Sequence, residues 1–151
     1  MRLIAVGRLR AGPEAELFDR YNNRLRPKLS VTEVPDGHGA PAEIKRREAE
    51  TLLAAVPDTA CAVALDLGAP PLGSEDFARR LEAWLAGGQM LAFIIGGAEG
   101  LAQQVLDRAD HTLSLGPLTW PHMLVRVMLA EQIFRARAIA SGHPYHRGGR
   151  P

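Results

Sequence analysis

The apolar positions of this chain change period as it runs. Leu-Ile-Ala-Val at 3–6 is a short continuous run closed by Gly7, which predicts a buried strand. Leu17, Tyr21 and Leu25 then recur every four residues behind Pro13, a residue suited to a first helical turn, and a helix is predicted over 13–25. Ser-Val-Thr-Glu-Val (30–34) alternates and is β-branched, so it reads as a strand, stopped by Pro35-Asp36-Gly37. A second helix is expected over 42–55, with Lys45, Arg46, Arg47, Glu48 and Glu50 outward and Ile44, Leu52 and Leu53 toward the core. ACAVALDL (60–67) and MLAFII (90–95) are nearly unbroken apolar runs, as central parallel strands covered on both faces require. Between them Ser74 is the expected N-cap of a helix over 75–86, with Glu75 and Asp76 in its first turn, where the helix dipole favours acids. Gly96-Gly97-Ala98-Glu99-Gly100 precedes a short helix over 101–109, HTLSL (111–115) forms a fifth strand, and a long helix covers 121–141 with Pro121 in its first turn.

Five strands and five helices in alternation, joined by short connections, predict a single α/β domain over 1–151 with a mostly parallel sheet and flanking helices. The 151 residues, 46% hydrophobic and 23% charged, suffice for one ordinary core. No apolar run reaches membrane-spanning length, and the start is too short and too soon charged for a signal peptide. The single cysteine, Cys61, lies inside an apolar strand and reads as a core thiol. These features point to the cytoplasm and to no membrane.

Net charge is +1 but segregated: +4 over 1–30, −7 over 31–110 and +4 over 111–151. Basic ends brought together would make a face for a polyanion such as nucleic acid; the same charges scattered over the surface would be solvated and carry no function. Several chemistries are disfavoured. The chain has no G-x-x-x-x-G-K-[ST], no G-x-G-x-x-G after the first strand and no G-x-S-x-G. His143 and His146 stand three apart without a cysteine or carboxylate cluster, so no metal is expected.

In parallel sheets ligands bind outside the carboxyl ends of the strands. Three such ends are rich in glycine and small apolar residues: Leu65-Asp66-Leu67-Gly68, Gly96 to Gly100, and Leu115-Gly116-Pro117-Leu118-Thr119-Trp120. That composition suits an adenine or methionine-like group held by main-chain hydrogen bonds. In the last helix the apolar residues cover more than one face, as in a helix buried in its own domain or against a second subunit. His122 and Arg126 share a face there, as do Glu131 and Arg135; Glu131, the one acid after residue 110, reads as a structural or site-organising group. Beyond the helix His143, Tyr145, His146 and Arg147 crowd the end of the chain.

IGGAEGL (95–101), LSLGPLTWPHMLVRVMLAEQIFRA (113–136) and HPYHR (143–147), in that order, closely resemble the bacterial ribosomal large-subunit RNA pseudouridine N3-methyltransferases of the SPOUT superfamily. LIAVGRLR (3–10) and EIKRREAETLL (43–53) extend the resemblance over the whole chain. Ala98 stands where the family often has proline or serine, and Trp120 replaces a smaller apolar residue. The resemblance implies a SPOUT fold with a C-terminal trefoil knot, a homodimer and an S-adenosylmethionine site at Leu65, Gly96, Gly97, Leu115, Gly116, Pro117, Leu118, Thr119 and Trp120. It implies a ribosomal RNA substrate within the ribosome, methylated at N3 of a pseudouridine. The tail would lie at the edge of the cofactor site, with His143 or His146 as base, Arg147 facing the imide oxygens and Tyr145 stacking or hydrogen-bonding. Arg126 and His122 are further candidates. Alternatively the tail only anchors RNA phosphates through Arg147 and Arg150. A non-catalytic RNA-binding module of the ribosome, or a methyltransferase for another RNA, are the competing functions.

Overall fold

A computed structural model describes residues 1–146. Its elements are β1 (Arg2–Val6), α1 (Pro13–Asn22), β2 (Ser30–Val34), α2 (Pro41–Ala55), β3 (Cys61–Leu65), α3 (Ser74–Ala86), β4 (Leu91–Ile95), α4 (Gln103–Arg108), β5 (His111–Leu113) and α5 (His122–Ala140). All pairings in the sheet are parallel, in the order β2-β1-β4-β3-β5. The fully buried runs thus occupy the middle. Leu3 to Val6 and Leu91 to Ile95 have helices on both faces and nothing polar to expose.

Side-chain alternation divides the core into two layers. Leu3, Ala5, Val63, Leu91, Phe93 and Ile95 face α1, α3 and α5, where Phe18, Phe77, Leu81, Leu129 and Ile133 meet them. Ile4, Val6, Ala62, Ala64, Ala92 and Ile94 face α2 and α4, through Ala49, Leu52 and Val105. Three of the strand residues on this second side are alanines, so α2 and α4 approach the sheet over small side chains. α5 fits between α1 and α3, which explains why its apolar residues cover several faces.

Several boundaries differ from expectation, each for a local reason. α1 stops at Asn22 rather than 25, because Asn22 turns its amide to the backbone of Leu29 at both N–H and C=O and so folds the chain back. Leu25 is nevertheless buried. β5 is three residues long, because Ser114 turns its hydroxyl to Gly116. α4 begins at Gln103, after a turn in which Leu101 is buried. Ser74 is not the N-cap of α3. Gly73 takes that place, and the Ser74 hydroxyl reaches Gln132 of α5 at 3.3 Å. Pro121 is the N-cap of α5 rather than part of its first turn. The largest reversal is Glu48. Expected on the solvent face of α2, it is 5% exposed and accepts the Gly37 N–H at 3.0 Å.

Candidate active site

The carboxyl ends of β3, β4 and β5 lie side by side, and the loops leaving them enclose one cavity of about 550 Å³. Pockets for drug-sized ligands occupy about 300–1,000 Å³ and are mostly apolar with few polar groups. Leu65, Gly96, Gly97, Leu115, Gly116, Thr119 and Trp120, seven of the nine residues expected to bind the cofactor, line it. Pro117 and Leu118 do not, and Leu118 is 64% exposed. The loop from 115 to 120 bows outward at its middle while its two ends form the wall.

Each wall has a local cause. After β3 the Asp66 carboxylate accepts the Gly68 N–H at 2.9 Å and so closes a tight turn. After β5 the Ser114 hydroxyl accepts from Gly116 N–H at 3.2 Å and donates to its C=O at 3.0 Å. Gly116 has φ of 112°, a conformation side-chain-bearing residues rarely adopt. After β4 the Gly100 N–H donates to the Gly97 C=O at 3.1 Å, curling the glycine-rich segment over the cavity. Asp66, Leu67, Ser114, His122 and Val125 also line the space. Of these, Asp66 and Leu67 belong to a strand end singled out in the sequence and His122 was a further candidate, whereas Ser114 and Val125 were not singled out. Asp66 and Ser114 had a signal, a side-chain oxygen two residues before a glycine at a strand end.

The first turn of α5 forms the remaining wall, and Arg126 holds it there. Its guanidinium is fully buried; one terminal nitrogen donates to the Val6 and Gly7 carbonyls at 2.6 Å each, the other to Glu33 at 2.8 Å. The same Glu33 oxygen accepts the Leu9 N–H at 2.6 Å. Arg126 therefore ties α5 to the ends of β1 and β2 and is absent from the cavity lining. His122, one turn earlier, does line it, with Nε2 close against Gly7.

Within one chain the tail lies elsewhere. The chain turns at Gly142 and runs back along α5, so that the Tyr145 hydroxyl donates to Glu131 at 3.0 Å and its ring meets Phe134 edge-on at 4.7 Å. Arg24 stacks over Phe134 at 3.9 Å, and Arg135 pairs with Glu131. His146 sits 3.5 Å from Arg135 and 4.0 Å from Glu75. His143 accepts the Tyr145 N–H at 3.2 Å. Glu131 is thus the organising acid of the tail. None of His143, Tyr145 and His146 lines the cavity, and Arg147 and Arg150 lie outside the described residues. Burial, then hydrogen bonding with Tyr21 and Glu131, pushes the Tyr145 phenol up to about 12. Burial, then the nearby Asp110 carboxylate, raises the Cys61 thiol above its ordinary value, in keeping with an inert core residue.

A parallel sheet whose strand-end loops close over a glycine-lined, largely apolar cavity is the build of a protein that binds a small organic cofactor or nucleoside. Comparison with known proteins narrows this class. Residues 1–146 match the family described as "Predicted SPOUT methyltransferase", and the chain belongs to that family. It is 63% identical to a protein of Gluconacetobacter diazotrophicus named ribosomal RNA large subunit methyltransferase H, over 100% of this chain and 99% of that one. It is 52% identical to a protein of the same name from Acidiphilium cryptum, over 100% and 96%. Among solved structures, a probable methylase family protein from Haemophilus influenzae superposes with a TM-score of 0.60 at 10% identity, over 99% of this chain and 71% of that one. The small-subunit methyltransferase E of Neisseria gonorrhoeae, bound to S-adenosyl methionine, superposes at 0.50 and 11% identity, over 88% and 65%. These two likenesses concern the fold.

Proposed function

We propose that this protein is an S-adenosylmethionine-dependent methyltransferase acting at N3 of a pseudouridine in large-subunit ribosomal RNA, on the assembled ribosome in the cytoplasm, as a homodimer. The observation that carries this reading is the cavity of about 550 Å³ built by three glycine-rich strand ends, in a chain whose relatives at up to 63% identity are named ribosomal RNA large subunit methyltransferase H. The cavity fits the cofactor chemically. The glycine-rich main chain at Gly96, Gly97, Leu115 and Gly116 lines the space that an adenine edge would meet, and Leu65, Leu67, Ile95 and Leu101 offer apolar surface to its ring. A C-terminal knot, as the family resemblance implies, belongs to the same reading.

The cofactor supplies an electrophilic methyl group on a sulfonium; this chain's own residues must align the acceptor nitrogen and manage its proton. Alignment of a displacement can supply much of the acceleration. N3–H of the base is an imide proton, so its loss is assisted by a base or by a cation near the imide oxygens. His122 is the imidazole on the cavity wall of the chain itself. Tyr145, protonated up to about 12, serves as a hydrogen-bond donor rather than a base at neutral pH. His143, His146 and Arg147 reach a cavity by assembly of two copies, the tail of one meeting the loops of the other.

The test is incubation with methyl-labelled S-adenosylmethionine and ribosomes from a strain lacking this gene, followed by mapping of the label. Label on N3 of a large-subunit pseudouridine supports the reading. No label despite cofactor binding moves the substrate to another RNA, and neither label nor binding leaves a bare RNA-binding module. Mixing a cavity-defective Gly116→Val chain with a tail-defective Arg147→Ala chain should restore part of the activity that each lacks alone. Absence of restoration would remove the shared site.

A further inference from the structure

Glu48 is a buried carboxylate that nothing in the preceding mechanism uses. It sits in the middle of α2, beneath the loops rather than in the cavity. One oxygen, Oε1, accepts the Gly37 N–H at 3.0 Å. The other, Oε2, is buried and makes no hydrogen bond among the described residues. Leaving a charged acceptor buried without a partner is costly, and such an atom in a native fold calls for a specific explanation.

Its surroundings supply one. A Cβ built on Gly97 would stand 2.7 Å from Oε2 and 2.8 Å from Oε1, closer than such atoms come. The carboxylate therefore lies directly against the backbone of Gly97, whose other side lines the cavity. It cannot swing aside freely, because Oε1 is held by Gly37, itself packed on Ile44 so closely that a Cβ there would stand 2.9 Å from its Cα. Among the described residues no acceptor takes the N–H of Gly97 or Ala98. A buried acceptor without a donor thus faces a turn in which the Gly97 and Ala98 N–H groups are without acceptors among the described residues.

We propose that Glu48 is a positioning residue for the cofactor: its carboxylate braces the Gly96–Gly100 turn from behind, and Oε2 receives a backbone N–H of that turn when the cavity is filled. The bond joins the turn after β4 to the turn after β2 through Gly37, so ligand at one strand end stiffens the other. This inference rests on the cofactor reading above. It is independent of which RNA is methylated.

Glu48→Gln separates this role from simple packing. The amide keeps the shape of the carboxylate and an oxygen for Gly37 N–H, but its NH₂ cannot accept a hydrogen bond from the turn. Calorimetric titration with S-adenosylmethionine should show a Kd at least about tenfold weaker than wild type, as expected for loss of one charge-assisted hydrogen bond. In turnover the KM for the cofactor should rise with kcat at saturation little changed. Amide exchange at Gly97 and Ala98 should be faster in the variant with ligand present. Gly97→Ala should weaken binding as well, and combined with Glu48→Ala should be no worse than the poorer single variant, since both break one contact.

A wild-type Kd in Glu48→Gln, or strictly additive losses in the double variant, would overturn the proposal. If the wild type itself binds no S-adenosylmethionine, the cofactor reading fails and the proposal with it; if the wild type binds, equal exchange rates at Gly97 and Ala98 in the saturated wild type and the saturated Glu48→Gln variant dismiss the brace alone. Should Glu48→Gln not fold, Gly97→Ala carries the test, because unchanged cofactor binding with a Cβ pressed on the carboxylate is incompatible with a brace.

Discussion

Arg126 and Tyr145 show how single residues set the geometry around the cavity. Arg126 satisfies two carbonyls at the end of β1 and one carboxylate of β2 from a fully buried position. Its removal leaves those carbonyls buried without donors. Arg126→Ala should therefore cost about 3–5 kcal/mol in urea denaturation, the range for breaking a buried pair by deleting one partner. Arg126→Lys should recover only part, since an ammonium cannot reach three acceptors in a fixed plane. For Tyr145 the folded phenol ionises near 12 against an ordinary 10, with burial as the first cause. The neutral phenol is the form that docks, so its contribution to tail docking is complete below pH 10 and is lost as pH rises from 10 through about 12. The chain has two tyrosines, and absorbance titration of the wild type should show a late phenolate phase that disappears in Tyr145→Phe.

At the scale of elements, burial follows the position of each strand in the sheet. β4 lies between β1 and β3 and carries Phe93, fully buried under α5 and its neighbours. Phe93→Ala should lower stability by about 3–5 kcal/mol, the usual cost of an aromatic cavity, measured as a lower denaturation midpoint with unchanged slope. Edge strand β2 behaves differently: Val31 is 42% exposed despite the alternating pattern that announced a strand there. Periodicity reports that a segment is extended, and its neighbours in the sheet decide how much of it water reaches. Helix ends were less legible still. A serine before two acids describes a plausible cap, yet Ser74 bonds to Gln132 of α5, a partner 58 positions away.

For the molecule as a whole, the separation between tail and cavity is the observation with most consequence. The tail groups gather around Glu131, while the cavity is walled by His122 and the three strand-end loops. Under the proposed dimer these two groups of residues meet across copies. Sedimentation should then give a mass near twice the 16.4 kDa of one chain. A monomer with full activity would place the tail outside catalysis. The basic ends of the sequence, +4 at each terminus, predict ribosome affinity that falls steeply as salt rises. Affinity independent of salt would leave those charges without a phosphate role.

The alternation of strands and helices along the chain, the buried central runs and the three glycine-rich strand ends were all legible in the amino-acid sequence; the order of strands within the sheet was not. They depend on neighbours within one turn or one strand, and local periodicity and turn chemistry encode them directly. Seven of the nine expected cofactor residues line the cavity for the same reason, since a parallel sheet brings its carboxyl ends to one side. The rest was decided by tertiary structure. Glu48 sits on a helix face that reads as solvated, and only the approach of Gly37 and Gly97 buries it. Arg126 reads in the sequence as a neighbour of His122 on one helix face and a candidate for the site, and only the ends of β1 and β2, more than ninety residues earlier, supply its partners. A charged side chain has no local signature of burial, because what makes burial tolerable is acceptors and donors brought in from distant parts of the chain.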